Sequence, residues 1–144
     1  NTSIQGFSNI SYLMRNNPNC KDIMKIIDNE LLLEVRVKVL GHFIEELKDI
    51  KFSYNTKEIL EVLIPKINDC IYNIKKQLDT INMKINYNNS IWIFTSWRKY
   101  KFSDDETILR NLNSRLSVLE DRFYKIIDTD ANYIKYKQLN LLIG

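Results

Sequence analysis

The sequence predicts an all-α protein, a six-helix bundle that forms a single domain over residues 1–144. Between Leu60 and Ile85, apolar residues recur with alternating steps of four and three, and this spacing places them in one stripe on a long helix. Only three Gly and two Pro occur, which leaves few turns for a many-stranded sheet. A hydrophobic content of 44% and a charged content of 27% are typical of a globular domain of this length. The stripe consists of Leu60, Ile64, Ile67, Ile71, Ile74, Leu78, Ile81 and Ile85.

Shorter stripes predict three helices before the long one. The first covers residues 4–14 and ends at the Asn-Asn-Pro-Asn run 16–19, because Asn favours turns and Pro disfavours helix in the residue before it. A short helix follows over residues 20–28, and a third begins at Leu33 and ends near Lys51. Apolar residues at helical spacing in these segments are Ile4, Phe7, Ile10 and Met14, then Ile23, Ile26 and Ile27, then Leu33, Val37, Leu40, Ile44 and Leu47.

The long fourth helix begins at Asn55, which caps it while Glu58 completes a capping box. Pro65 falls inside this helix and removes one backbone hydrogen bond, so we expect a kink over residues 61–65. Residues 86–102 carry no helical period. The alternation of aliphatic and aromatic residues there is compatible with a short strand or a long loop.

Two helices are predicted in the C-terminal third. The fifth begins at Ser103, where Ser-Asp-Asp-Glu forms a capping box with acidic residues at the positive end of the helix. The sixth runs from about Ala131 to Gly144. The residues expected in the core are Ile108, Leu112, Leu116, Leu119, Phe123 and Ile126 from the fifth helix, and Tyr133, Ile134, Leu139, Leu142 and Ile143 from the sixth.

Charge disfavours two classes of partner. The chain has 21 basic and 18 acidic residues, a net charge of +3, and these charges are spread over every predicted helix. A nucleic-acid-binding protein would concentrate its cations along one face, so we expect no nucleic-acid partner. No apolar run approaches the roughly 20 residues that span a bilayer, so we expect no membrane segment. The aromatic and basic residues 97–101 are compatible with a plug at the bundle end, a protein contact or a single-stranded nucleic acid.

The residues needed for catalysis are sparse. His42 is the only histidine, so a zinc site or a nucleophile paired with histidine lacks partners. The acidic pairs 45–46 and 104–105 fit a solvated helix face and a helix start. Glycine occurs only at positions 6, 41 and 144, which leaves no phosphate-binding loop. We therefore predict that the protein is not an enzyme and needs no metal and no cofactor.

Two cysteines and three acceptor triplets bear on localisation. Cys20 and Cys70 either form a disulfide that closes a loop of about 50 residues or are two separate buried thiols. The triplets at Asn1, Asn9 and Asn88 match the pattern for N-glycosylation. Together these features favour the disulfide and predict a secreted glycoprotein.

Several local strings share a resemblance. Gly6-Phe7-Ser8-Asn9-Ile10 resembles the first helix of the interleukin-19, -20 and -24 branch of the interleukin-10 cytokine family. Residues 39–47 resemble the third helix of that branch. Residues 74–78 are similar to the end of the fourth helix of that branch, and residues 138–143 to the last. The chain departs from the pattern because it lacks the additional cysteines of the branch.

The resemblance implies a monomeric secreted ligand with a cytokine-like bundle. Such a ligand crosslinks two class II cytokine receptor chains and starts or modulates JAK and STAT signalling. A virus-encoded cytokine that modulates immunity would fit the divergent sequence. One receptor surface is implied at Asn19, Lys21, Asp22, Lys135, Lys137 and Gln138. A second is implied at Gln5, Ser8, Tyr12, His42 and Glu46, with Tyr12 as its anchor.

Two alternatives have a different partner. One is an intracellular viral regulator of the Bcl-2 type, in which helices surround a buried central hairpin and form a hydrophobic groove. The other is a surface interaction domain from a parasite. Topology separates the cytokine from the regulator of the Bcl-2 type, since the cytokine requires its first and last helices side by side.

Overall fold

A computed structural model describes residues 2–90 and 103–143. Within these ranges the chain contains helices and no strand, which confirms the all-α prediction. A 3₁₀ turn at Pro18–Cys20, a π-helical turn at Ile26–Glu30 and a second 3₁₀ turn at Leu47–Asp49 separate the longer elements. The six α-helices are α1 Thr2–Arg15, α2 Lys21–Lys25, α3 Leu33–Glu46, α4 Tyr54–Ser90, α5 Ser103–Asp128 and α6 Ala131–Ile143.

The stripe on α4 forms the centre of the core. Seven of its eight residues are buried, and Ile64 is half-buried against the same core. α4 packs against α5 on one side and α1 on the other. Removing each such side chain from water contributes about 1.5–3 kcal/mol, so this stripe supplies a large part of the stability of the fold.

α1 runs parallel to α4, and α3 runs antiparallel to α1. Near the start of α1, a Cβ added at Gly6 would lie 3.6 Å from Lys75 Cγ, whereas beyond its end Asn17 Nδ2 donates to Asn86 Oδ1 at 2.9 Å. α3 lies close to α1 at Gly41, where an added Cβ would lie 3.0 Å from Ile4 Cδ1, and the other ends of the two helices meet in the ion pair of Arg15 with Glu34. Glycine at this helical position therefore allows the two helices to pack closely.

α5 runs antiparallel to α4 and is joined to α3 by a polar clasp. Arg36 of α3 donates to Ser117 Oγ at 2.8 Å, to Glu120 and to Asn113 of α5, and to the carbonyl oxygen of Leu31 at 3.1 Å. The Arg36 and Glu120 side chains are only 21% and 14% exposed, so this ion pair is shielded from solvent. It fixes the register of α3 against α5.

Asp130 connects the start of α6 to the start of α4. Its carboxylate accepts hydrogen bonds from the backbone N–H groups of Asn132 and Tyr133, at 3.0 and 3.1 Å, which caps α6. The same carboxylate accepts from the N–H and hydroxyl of Ser53, at 3.0 and 2.7 Å. Tyr133 then packs against Phe43, with ring centroids 6.2 Å apart.

The predicted core of α6 is wrong except at Tyr133. Ile134 is 42% exposed, Leu139 50%, and Leu142 and Ile143 both 84%. The reason is that α6 is held at its first turn, where Asp130 caps it and Tyr133 packs against Phe43 and Phe52. The remaining turns have no helix against them in the described part of the chain.

On α5 the buried stripe begins and ends one residue later than predicted. Leu109 and Ile127 are fully buried, whereas Ile108 is 45% exposed and Ile126 is half-buried. Asp105, one turn before Leu109 on the same face, is 3% exposed and accepts a hydrogen bond from Gln77 of α4 at 2.8 Å. The acidic pair 104–105 therefore includes an interhelical contact in addition to a helix start.

The long helix extends beyond the segment expected to interrupt it. α4 continues on both sides of Pro65 and reaches Ser90, so residues 86–90 are helical, neither strand nor loop. Residues 91–102, including the aromatic and basic run 97–101, lie outside the described residues. The kink expected over residues 61–65 stays a prediction.

The predicted disulfide is wrong, because Cys20 and Cys70 are both free and buried. The Sγ atom of Cys20 lies 3.6 Å from Asn82 Oδ1, whereas the Sγ atom of Cys70 lies 3.4 Å from the carbonyl oxygen of Leu112. Asn82 and Cys70 are separated by roughly 18 Å along α4 at 1.5 Å per residue, which a disulfide cannot bridge. Burial raises the pKa of both thiols.

The structure has neither the topology expected for the cytokine nor the one expected for the regulator of the Bcl-2 type. The first and last helices are not side by side, because the first turn of α6 contacts α3 and the loop before α4, where Tyr133 packs against Phe43 and Phe52. A buried central hairpin is also absent from the described residues, since α4 and α5 each keep an exposed face, at Val62 and at Val118. The described helices form a four-helix bundle of α1, α3, α4 and α5, beside which lie the short α2 and the C-terminal α6.

Truncation of the central stripe tests its contribution to stability. We expect Ile74→Ala, at a fully buried position, to lower the free energy of unfolding by about 2–5 kcal/mol, because it leaves a cavity between α4 and its neighbours. Met83→Ala on the same helix, where Met83 is 71% exposed, is the matched control. Urea unfolding checks both variants, and an equal effect of the two would contradict the central position of the stripe.

The Asp130 contacts predict a defined acid dependence of stability. Burial raises the pKa of this carboxyl, but hydrogen bonds from Ser53, Thr56 and the N–H of Tyr133 outweigh it and lower the pKa from 3.8 to about 2. The resulting stabilisation, about 2 kcal/mol, is present above pH 3.8 and is lost as the pH falls toward 2.

Asp130→Asn should therefore be less stable than the parent protein at pH 7, and the difference should shrink near pH 2. Asp128→Asn, at an exposed position two residues earlier, is the control and should match the parent. Urea midpoints measured across this pH range check the prediction. A difference that stays constant with pH would show that the carboxylate charge contributes nothing.

Candidate protein-binding groove

An apolar groove lies on the outer surface between the first half of α4 and the last turns of α5. It encloses about 570 Å³. Leu63 and Ile126 form its floor, and Ile59 and Val62 stand 42% and 59% exposed on the α4 side. The lining residues are Glu58, Ile59, Val62, Leu63, Lys66, Arg122, Lys125 and Ile126.

The groove exists because apolar residues continue beside the buried stripes. On α4, Leu60 and Ile67 face the core, so Ile59 and Val62 face outward on the flank of the same helix. On α5, Phe123 is buried, and Ile126 lies at the edge of the core. α6 does not cover this flank, because its anchoring contacts are to residues on another side of the bundle.

Cations line both walls of the groove. Lys66 belongs to α4, and Arg122 and Lys125 belong to α5. None of these three forms an ion pair with any residue that the structure describes. Glu58 is the acidic lining residue, and its side chain is hydrogen-bonded to Tyr54, which raises the pKa of that tyrosine. The groove therefore combines an apolar floor with an excess of positive charge.

Two other depressions are less suited to bind an apolar ligand. One of about 600 Å³ between α1 and α3 has a mixed lining, in which Gln5, His42 and Asn68 stand beside apolar residues that are only partly exposed. Another of about 420 Å³ lies below the loop that precedes α4, and its apolar residues, such as Leu47 and Leu60, are already buried in the core. Of these three depressions, the groove between α4 and α5 is the one with exposed apolar residues along a wall, at Ile59 and Val62.

The second predicted receptor surface is partly assembled. Gln5 and His42 line the same depression between α1 and α3. Ser8 and Tyr12 follow Gln5 along one face of α1, with Ser8 half-buried and Tyr12 69% exposed. Glu46 is exposed at the end of α3.

The first predicted receptor surface is divided between the two ends of the bundle. Asn19, Lys21 and Asp22 are exposed near the end of α4, where Asn17 contacts Asn86. Lys135, Lys137 and Gln138 are exposed on α6, which begins beside Ser53 at the start of α4. These ends are roughly 50 Å apart at 1.5 Å per residue, and α6 is only about 20 Å long. The six residues therefore do not form one continuous surface.

The acceptor asparagines occupy different environments. Asn9 is exposed on α1, where its Oδ1 accepts a hydrogen bond from Gln5 Nε2 at 3.0 Å, and Ser11 of the same triplet is buried. Asn1 and the side chain of Asn88 lie outside the described residues. Glycosylation at the three positions stays a prediction.

Comparisons of the chain with protein-family models, with curated proteins and with solved structures found no match. None of the described helices has the combined length and hydropathy needed to cross a bilayer. Among the described residues, no group of three or more His, Cys, Asp or Glu side chains is arranged to hold a metal ion. The groove is thus the feature of the described structure that most favours a specific activity, and sequence reasoning did not find it.

Proposed function

We propose that this protein acts by binding an α-helical segment of a partner protein in the groove between α4 and α5. The observation that carries the proposal is the exposure of Ile59 and Val62 in a concave surface whose floor is apolar. Isolated exposed apolar side chains are common on proteins, but apolar residues that converge in a groove are typical of a binding site.

The dimensions of the groove suit a helix. The lining residues of α4 run from Glu58 to Lys66, which corresponds to about 12 Å or two helical turns. A third helix that lies between two antiparallel helices places its side chains at positions i, i+3 or i+4, and i+7 in the furrow between them. Such a segment would bury Val62 and Ile59 and complete a packing layer that the chain leaves open.

Selection of helical peptides from a display library against the immobilised protein tests this function. We expect enriched peptides to carry apolar residues at helical spacing and to shift the backbone amide resonances of residues 58–66 and 122–126 in NMR titrations. Val62→Asp should weaken binding by about tenfold or more, since it places a charge on the apolar wall.

Val35→Asp is the matched control, because Val35 is 61% exposed on α3, outside the groove. This variant should bind the selected peptides as the parent protein does. Peptides that bind the parent, Val62→Asp and Val35→Asp proteins equally, or that shift amides elsewhere, would contradict the proposal.

The two free thiols bear on where such a function would operate. Buried, unpaired cysteines are usual in reducing compartments, whereas a secreted domain of this size more often pairs them. Together with the groove, they support the intracellular helical regulator among the alternatives, although the topology is not that of a central hairpin.

A second candidate function is the secreted cytokine-like ligand, and the exposure of Tyr12 favours it. Tyr12 and Leu13 are 69% and 59% exposed on α1, and Gln5 and His42 lie together in the adjoining depression. Exposed tyrosines are frequent anchors in protein interfaces. This surface would bind one class II receptor chain. Residues 19–22 would belong to a separate receptor site.

Surface plasmon resonance against a panel of class II receptor ectodomains tests this candidate. Tyr12→Ala should weaken any binding by about tenfold, whereas Tyr54→Ala, at a position of similar exposure on α4, should not. Absence of binding to every ectodomain of the panel would exclude the cytokine function.

A further inference from the structure

We propose that the helical segment bound in the groove is acidic, with Asp or Glu residues on both flanks of its apolar stripe. The inference rests on the proposed function, and it adds the chemistry of the partner. It is carried by the positions and the unpaired state of the cations on the groove walls.

The cations are placed so that they contact both sides of a bound helix. Lys66 stands on the α4 wall, whereas Arg122 and Lys125, three residues apart on α5, share the opposite wall. A helix that lies in the furrow with its apolar stripe on Leu63 and Ile126 therefore has at least one cation along each flank. Carboxylates at those flanks would reach the ammonium and guanidinium groups without entering the apolar floor.

These cations have no partner within the described chain, unlike the arginines that hold the fold. Arg15 bonds to Asp28 and Glu34, Arg36 to Glu120, and Arg110 to Glu30 and Glu106. Lys66, Arg122 and Lys125 have no such carboxylate partner among the described residues, and they outnumber the acidic lining residue Glu58 by three to one. The positive charge of the groove is consequently available to a ligand.

Charge also argues against the exposed apolar end of α6 as the occupant. The last turns of α6 expose Leu139, Leu141 and Leu142 and would suit an apolar groove in a second copy. However, α6 carries Lys135 and Lys137 and no acidic residue. Its insertion would place cations beside Lys66, Arg122 and Lys125, and this repulsion disfavours a dimer of this kind.

The shape of the site favours a helix over an anionic membrane. The exposed apolar residues Ile59 and Val62 line a concave furrow rather than projecting from a convex surface. A lipid bilayer cannot enter a furrow between two helices, whereas one helix of a partner protein fits along it. Binding of anionic vesicles through Val62 would therefore overturn the inference.

Two designed peptides with identical apolar stripes test the inference directly. One carries Glu and the other Lys at the flanking positions, and fluorescence polarisation measures their binding to the full chain. We expect the Glu peptide to bind about tenfold more tightly than the Lys peptide at low salt, with the preference falling as NaCl is raised. NMR titration should place the bound Glu peptide at residues 58–66 and 122–126.

Charge reversal at the groove provides the decisive comparison. The triple variant Lys66→Glu, Arg122→Glu, Lys125→Glu should prefer the Lys peptide. A control with the same net charge, Lys21→Glu, Lys25→Glu, Lys135→Glu, changes exposed residues outside the groove and should keep the preference for the Glu peptide.

The possible results separate this inference from the proposed function. Equal binding of both peptides, abolished by Val62→Asp, would overturn the acidic partner while leaving helix binding intact. A preference for the Lys peptide, or a loss of the Glu preference in the control variant, would also overturn it. Binding of phosphatidylserine vesicles that requires Val62, with no binding of either peptide at the groove, would overturn both proposals in favour of a membrane surface.

Discussion

The burial of one isoleucine-rich stripe on α4 is the interaction on which the rest of the structure depends. α4 is the longest helix, and its stripe contacts α1 on one side and α5 on the other. The polar contacts then fix the register of the neighbouring helices. Asp105 joins α5 to α4, Arg36 joins α3 to α5, and Asp130 joins the start of α6 to the start of α4. These contacts add specificity to an arrangement that hydrophobic burial makes stable.

The groove follows from the same arrangement. A helix that packs against two neighbours still has flanks, and on α4 the flank beside α5 carries Ile59 and Val62. No residue of α6 lines this groove. Instead Asp130 and Tyr133 direct the first turn of α6 toward Phe43 and Phe52, and the flank stays open. An apolar surface left open between rigid helices is suited to accept one further helix.

The sequence predicted the fold class and all six helix starts to within two residues, because a strict apolar period needs no knowledge of tertiary contacts. It failed where a partner decides burial. Leu139 and Leu142 have helical spacing, but they are exposed because no neighbour covers that end of α6. The prediction of a disulfide failed for a related reason, since the sequence separation of Cys20 and Cys70 gives no information on the distance between their sulfur atoms. The groove could have been found from Ile59 and Val62, which are apolar residues outside the main stripe, but their convergence with Ile126 required the three-dimensional packing.

Native-state hydrogen exchange measured by NMR tests the central position of α4 most directly. We expect amides over residues 67–81 to exchange only on global unfolding, whereas those over residues 139–143 should exchange through local opening many times faster. Exchange of the α4 amides at the rate of the α6 amides would contradict this expectation, because the stripe would then not be the element that holds the bundle together.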